Sequence, residues 1–219
     1  DPEMSRGLGD VYKRQVIVLA DHGDGMGSHR MVTKQVSFYE EMTNVPFIIA
    51  GPGIHPRQKP VEDLLTQPTI DLLPTLCELA GIPVPSSKPG ISLAPFLKGE
   101  KQKRQHPYAA SEWHSEYEVT VSPGRMIRSP RYKYTHYLEG NGEELYDMLK
   151  DKGERRNLAH DPKYSKILAE HRALLDDYIR RTQDDYRSLK VEADKRWRSH
   201  APGYPNHEGP CARDIINRK

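Results

Sequence analysis

The stretch "VIVLADHGDGMGSHRMVTK", residues 16–34, holds the side chains whose types and spacing are best suited to chemistry. Asp21 offers a carboxylate and His22 an imidazole at adjacent positions. Gly23, Gly25 and Gly27 free the backbone beyond them to turn irregularly, so both side chains can reach one cation. Lys34 adds a movable positive charge. A divalent cation together with an ammonium group neutralises a tetrahedral oxyanion and stabilises charge that builds on its oxygens during a transfer reaction. Asp-His-Gly after a strand is also an ordinary loop start, and Asp24 and His29 can equally cap or solvate that loop. Spacing alone leaves both readings open.

The elements that must position these residues can be read from periodicity. Val16 to Ala20 is a short apolar, β-branched run, and "VPFIIAGPGI" is a second run closed by Gly-Pro-Gly; both read as buried strands. A strand in an α/β sheet delivers the residues just past its carboxyl end, here Asp21 and His22, to the crevice where such sheets bind ligands. "TIDLLPTLCELAGI" carries apolar residues at helical spacing. It predicts a helix of about two to three turns between Thr69 and Ile82, with Asp71 near its start, Pro74 tolerated in a first turn and Gly81 at its end. Alternating strands and helices favour a parallel sheet. From Pro107 the runs "PYAASEW", "GRMIRSP" and "RYKYTHYL" suggest a small antiparallel sheet, with Arg125, Arg128 and Arg131 decorating strands and Leu145 and Tyr146 packing it. Ile167, Leu168, Leu174, Leu175, Tyr178 and Ile179 share a stripe of an amphipathic helix that should cover that sheet.

The fold class expected is therefore α/β: an incomplete, mostly parallel sheet with flanking helices, then a small antiparallel sheet packed on a C-terminal helix. Residues 1–15 lack periodicity and read as a non-native leader joined to a strand signal. Residues 16–104 form the α/β part, 105–186 the small C-terminal subdomain, and 187–219 a polar tail.

Composition sets the outer limits. The 219 residues are 36% apolar and 29% charged, with a net charge of +2, which gives no bias towards nucleic acid or anionic membrane. No apolar run reaches the length of a membrane span. Cys77 and Cys211 stand far apart, so neither a zinc knuckle nor a redox pair is encoded. Cys77 is read as a small core residue of its helix.

Three blocks in order, "LADHGDGMGSHRMVTKQVSFYEEMTNVPFIIAGPG", "TIDLLPTLCELAGI" and "RSPRYKYTHYLEGNGEELYDMLKDKGERRNLA", closely resemble the C-terminal half of the type I, formylglycine-dependent sulfatases of the alkaline-phosphatase superfamily. The resemblance spans most of residues 16–185. It implies that Asp21 and His22 are metal ligands, the metal being calcium rather than zinc or another divalent ion, and that Lys34, at the family's distance from Asp21, is a catalytic residue touching the sulfate group. His22 is the softer, nitrogen choice at a hard-cation site.

The family's nucleophile is a formylglycine made from a Cys/Ser-x-Pro-x-Arg motif, which does not occur in this sequence and is expected in a preceding half. The resemblance thus implies a fragment of a sulfuric ester hydrolase, inactive alone, whose substrate is a sulfated small molecule or glycan. It also implies a periplasmic, secreted or lysosomal setting. A related phosphatase or phosphodiesterase and a non-catalytic remnant are the alternatives. His29 is read as holding its loop by a hydrogen bond, with orienting Lys34 or touching substrate as the other reading. His114 is read as part of an exposed connector or the border of a sugar pocket.

Overall fold

The computed structural model describes residues 14–31, 37–57, 59–61, 64–86, 89–101, 106–113, 123–138 and 142–189. Lys34, His114 and Cys211 lie outside them, as do most of the expected leader and tail. The chain divides into two units, one of residues 1–23 with 44–109 and the other of residues 24–43 with 110–219. It is a mixed α/β chain with small antiparallel sheets and a long C-terminal helix.

In the first unit, strand β1 (Val16–Leu19) pairs with β2 (Phe47–Ala50) in the register Val16 to Ala50 and Leu19 to Phe47. The pair is antiparallel, not parallel as the strand–helix alternation suggests. A parallel pair needs a long crossover, usually a helix of several turns. Between β1 and β2 the described helical pieces are the three-residue turn Ser28–Arg30 and the four-residue α1 (Glu40–Thr43), too short to serve as one. Neither strand is fully buried. Val18 and Ile48 stand opposite each other, beside Val16, and all three are exposed, at 49%, 56% and 61%. An apolar run is covered on both faces only when further strands and helices pack on it, and two strands alone do not suffice.

Helix α2 (Pro68–Leu79) matches the predicted helix and runs for 12 residues. Proline at its first position is preorganised for a helical start. Asp71 closes that start, its Oδ2 accepting from the Gln67 N–H at 2.7 Å. The C-terminus is a Schellman turn: Gly81, at φ +68°, donates to Glu78 O and Ile82 donates to Cys77 O. Pro74 departs from expectation by lying mid-helix. Lacking an N–H, it leaves the Ile70 carbonyl without its usual helical donor. Gly90, at φ +114°, approaches so closely there that a Cβ would fall 2.1 Å from Ile70 O. Glycine at 90 and proline at 74 are thus two halves of one packing solution. Cys77 is buried on this helix, as the sequence suggests. The short helix α3 (Ala94–Leu97) comes next.

The second unit is built on a sheet in the order β3 (Ala109–Trp113), β4 (Gly124–Arg128), β5 (Tyr132–Tyr137) and β6 (Gly142–Asp147). The β4–β5 and β5–β6 pairs are antiparallel. Met126, Ile127, Tyr134, Leu145 and Tyr146 are buried in it. Helix α4 (Ser165–Thr182) packs against β4 and β5 through the predicted stripe, with Leu168 and Leu175 buried. Buried His171 joins them: its Nδ1 donates to Ile167 O at 2.8 Å and its Nε2 pairs with Ser129 Oγ at 2.9 Å. Among the described residues no helix is long and apolar enough to cross a membrane.

Candidate functional site

Asp21 and His22 stand where β1 ends, as the sequence predicts. Both are exposed, Asp21 almost fully. The His22 N–H donates to Asp21 Oδ1 at 3.0 Å, and the ring Nδ1 donates to Gly23 O at 2.7 Å. With its proton on Nδ1, the imidazole presents Nε2 as a lone-pair donor, which a metal could use. Nε2 faces Asp21 Oδ2 at 3.6 Å. Two lone-pair atoms held at that spacing fit a shared cation, with carboxylate oxygen suiting a hard ion and imidazole nitrogen widening the choice. Among the described residues no cluster of three or more His, Cys, Asp and Glu has metal-binding geometry.

The chain beyond Gly23 belongs to the second unit, where residues 24–31 form a compact loop. Gly27 N–H donates to Met31 O, Ser28 N–H to Gly25 O and Met31 N–H to Ser28 O, all between 2.7 and 2.8 Å. Gly25 is obligatory, because a Cβ there would lie 2.4 Å from Met31 Cβ. Met31 inserts into a buried cluster with Tyr39, Met42, Tyr146 and Met148. Among the described residues the His29 ring makes no hydrogen bond; it stacks on Tyr39 with centroids 3.7 Å apart and planes 1° from parallel. Burial lowers its pKa from the ordinary imidazole value, with Glu41 opposing.

Below this loop lies a buried ionic group. Lys133 Nζ donates to Phe38 O at 2.8 Å and ion-pairs with Glu40 at 2.7 Å and Glu154 at 2.9 Å. Glu154 Oε2 also accepts from the Glu40 N–H at 2.7 Å. The neighbouring Glu144 is pushed up to about 7, first by burial and then by the like charge of Glu154, with Lys133 opposing. Tyr39 and Tyr146 are pushed upward by burial as well. These charges are internal supports beneath the loop.

A family model described as the C-terminal part of N-sulphoglucosamine sulphohydrolase matches residues 27–181. A Delta 4,5-hexuronate-2-O-sulfatase of Bacteroides thetaiotaomicron is 76% identical over 204 residues, covering 93% of this chain and 42% of that protein. The chain belongs to the sulfatase family. Bovine arylsulfatase K is 35% identical across 70% of the chain and 29% of its own length. A solved structure described as a 2-O GAG sulfatase superposes with a TM-score of 0.83 at 75% identity, over 93% of this chain and 44% of that one. This sulfatase chain therefore spans less than half the length of these relatives.

Several residues organise the sulfatase chain in ways that its sequence did not reveal. Arg125 does not decorate a strand surface. It is buried, donates from Nε and Nη2 to the two carboxylate oxygens of Asp184, and lies 4.4 Å over the Tyr186 ring. Asp71 is fully buried and collects the Gln67 N–H, the Ile91 N–H and His106 Nε2 at 2.7 to 2.8 Å. Tyr39 had one available signal, its place in the aromatic "SFYEEM" shortly after the glycine-rich loop.

Proposed function

We propose that this chain is the C-terminal part of a sulfuric ester hydrolase that removes a 2-O-sulfate from a hexuronate. The observation that carries the reading is the 76% identity, over 93% of the chain, to a Delta 4,5-hexuronate-2-O-sulfatase. Asp21 and His22 are the residues that would hold a divalent cation, and their donor geometry supports that role. The cation is calcium in this reading, since the carboxylate is a hard-ion ligand. When bound it supplies positive charge against the sulfate oxygens. Lys34 adds its ammonium to the same oxyanion, which orients the ester and stabilises charge shifting within it. The nucleophile, a formylglycine, is placed in the part of the protein that precedes this chain.

The test is direct. The full-length protein, purified with its metal, is incubated with an unsaturated hexuronate disaccharide carrying a 2-O-sulfate, while sulfate release is followed by ion chromatography and metal content by mass spectrometry. Sulfate release with bound calcium is expected. A protein that leaves the sulfate ester intact but cleaves phosphate esters, with bound zinc, would overturn the reading in favour of a phosphatase.

A further inference from the structure

The two faces of the β4–β5–β6 sheet carry different chemistry. Helix α4 covers the face of Tyr134, whose hydroxyl donates to Glu143 together with Arg172 of the helix. Register sets the opposite face: Arg128 stands across from Lys133, Thr135 from Glu144 and Lys133 from Tyr146, so these side chains project to one side. Met31 and residues 37–43 cover that side. The Phe38 carbonyl and Glu40 bind Lys133, while Met31, Tyr39 and Met42 pack with Tyr146. Glu154, from the turn that follows β6, pairs with Lys133 as well.

This covered face holds more acid than base. Glu40, Glu144 and Glu154 gather around Lys133, and Arg128 reaches Glu40 only at 3.8 Å. An ammonium group has three N–H donors. Phe38 O, Glu40 and Glu154 stand 2.7 to 2.9 Å from Lys133 Nζ and match those donors, which leaves none for Glu144. Glu144 is nevertheless only 6% exposed, beside Tyr39, Tyr146 and Glu154. A carboxylate buried beside a second one, without a cation of its own, is costly, and a proton removes that cost.

We propose that Glu144 is a proton-operated latch: with its carboxyl protonated, residues 24–31 and 37–43 stay seated on the sheet, and with it ionised they lift and admit water. Burial and the charge of Glu154 hold the proton on Glu144 up to about 7, with Lys133 opposing. The latch is therefore closed below that pH and loosens above it. Tyr39 and Tyr146, pushed upward by burial, stay neutral across this range. The device lies within one unit of the chain and requires nothing of the sulfatase reading.

Hydrogen exchange of the full-length protein tests the latch, read by mass spectrometry with labelling times corrected for the intrinsic rise of exchange with pH. The informative amides are Ser28, Met31, Met42 and Thr43, which donate to backbone carbonyls of the same stretches, and Glu40, which donates to Glu154. Their protection should fall about tenfold from pH 6 to pH 8, as follows for a carboxyl at about 7 when seated and 4.5 when released. They should also exchange faster than the amides of α4, because a local opening lies below global unfolding in free energy. Glu144→Gln keeps the shape without the charge and should abolish the pH dependence. His29, stacked on Tyr39, titrates in both proteins and cancels in that comparison. Glu154→Gln removes the neighbouring like charge and should move the transition to lower pH. Wild-type protection equal at pH 6 and pH 8, a Glu144→Gln protein that keeps the wild-type pH dependence, or a transition that Glu154→Gln leaves in place overturns the proposal. Exchange of these amides at the rate of those in α4 overturns it too, since Glu144 would then support the whole fold rather than a latch.

Discussion

Replacing Glu144 by glutamine should remove a pH dependence of stability expected of the wild-type chain between pH 5 and pH 8. Glu144 sits on β6 at 6% exposure. Burial and the charge of Glu154 raise it from 4.5 to about 7, with Lys133 offsetting them only in part. In the unfolded chain the carboxyl returns to its ordinary value. The native state thus holds a proton more tightly than the unfolded state does. Its contribution to stability is fully present below the unfolded value and is lost as pH rises through about 7. At about 1.36 kcal/mol per pH unit, the whole gap amounts to roughly 3 kcal/mol, of which about 2.5 kcal/mol falls between pH 5 and pH 8. Glutamine has nearly the same shape and stays neutral throughout. His29 and His171, which burial lowers, titrate in both proteins and cancel in the comparison. Urea unfolding monitored by fluorescence at pH 5 and pH 8 should give nearly equal stabilities at the lower pH. At the higher pH the glutamine variant should be more stable by about 2 to 3 kcal/mol. A stability difference that is the same at both pH values would refute the reasoning.

Asp71→Ala should lower stability by about 3 kcal/mol or more, read by thermal unfolding, because Gln67 N–H, Ile91 N–H and His106 all lose one acceptor residue. Lys133→Met should cost about 3 to 5 kcal/mol by leaving Glu40 and Glu154 without their common cation, and adding Glu40→Gln with Glu154→Gln should recover most of that loss in the same denaturation assay. The isolated chain should self-associate through the exposed face of Val16, Val18 and Ile48. Sedimentation velocity should show Val18→Lys with Ile48→Lys shifting it towards monomer.

What the sequence disclosed and what it hid divide along physical lines. The α2 helix was legible because Pro68, the apolar spacing and Gly81 act locally, and so was the stripe of α4. The β4–β5–β6 meander was legible because short alternating runs separated by Gly and Pro admit few pairings. The antiparallel sense of β1 and β2 was not, since strand direction depends on where a 27-residue connection travels, and that connection folds with the other unit. Pro74 misled because the space beside it and the Ile70 carbonyl is left by Gly90, a residue 16 positions away. The Asp21–His22 pair was visible as adjacent donor types at a strand end. The His29–Tyr39 stack and the burial of Arg125 arise from contacts between distant segments, which side-chain type alone does not reveal.

On the proposed sulfatase reading, Lys34 is the residue to test first, because that reading assigns Asp21 and His22 to a cation and the Lys34 ammonium to the sulfate. Steady-state kinetics of the full-length protein on a 2-O-sulfated hexuronate, comparing wild type with Lys34→Ala and Lys34→Arg, tests it. On that reading, loss of the ammonium should lower kcat/KM by on the order of a hundredfold or more in Lys34→Ala. Arginine, with its larger planar fork, should restore it only in part. A Lys34→Ala protein within about threefold of wild type would place Lys34 among ordinary solvent-facing lysines and contradict its role against the sulfate.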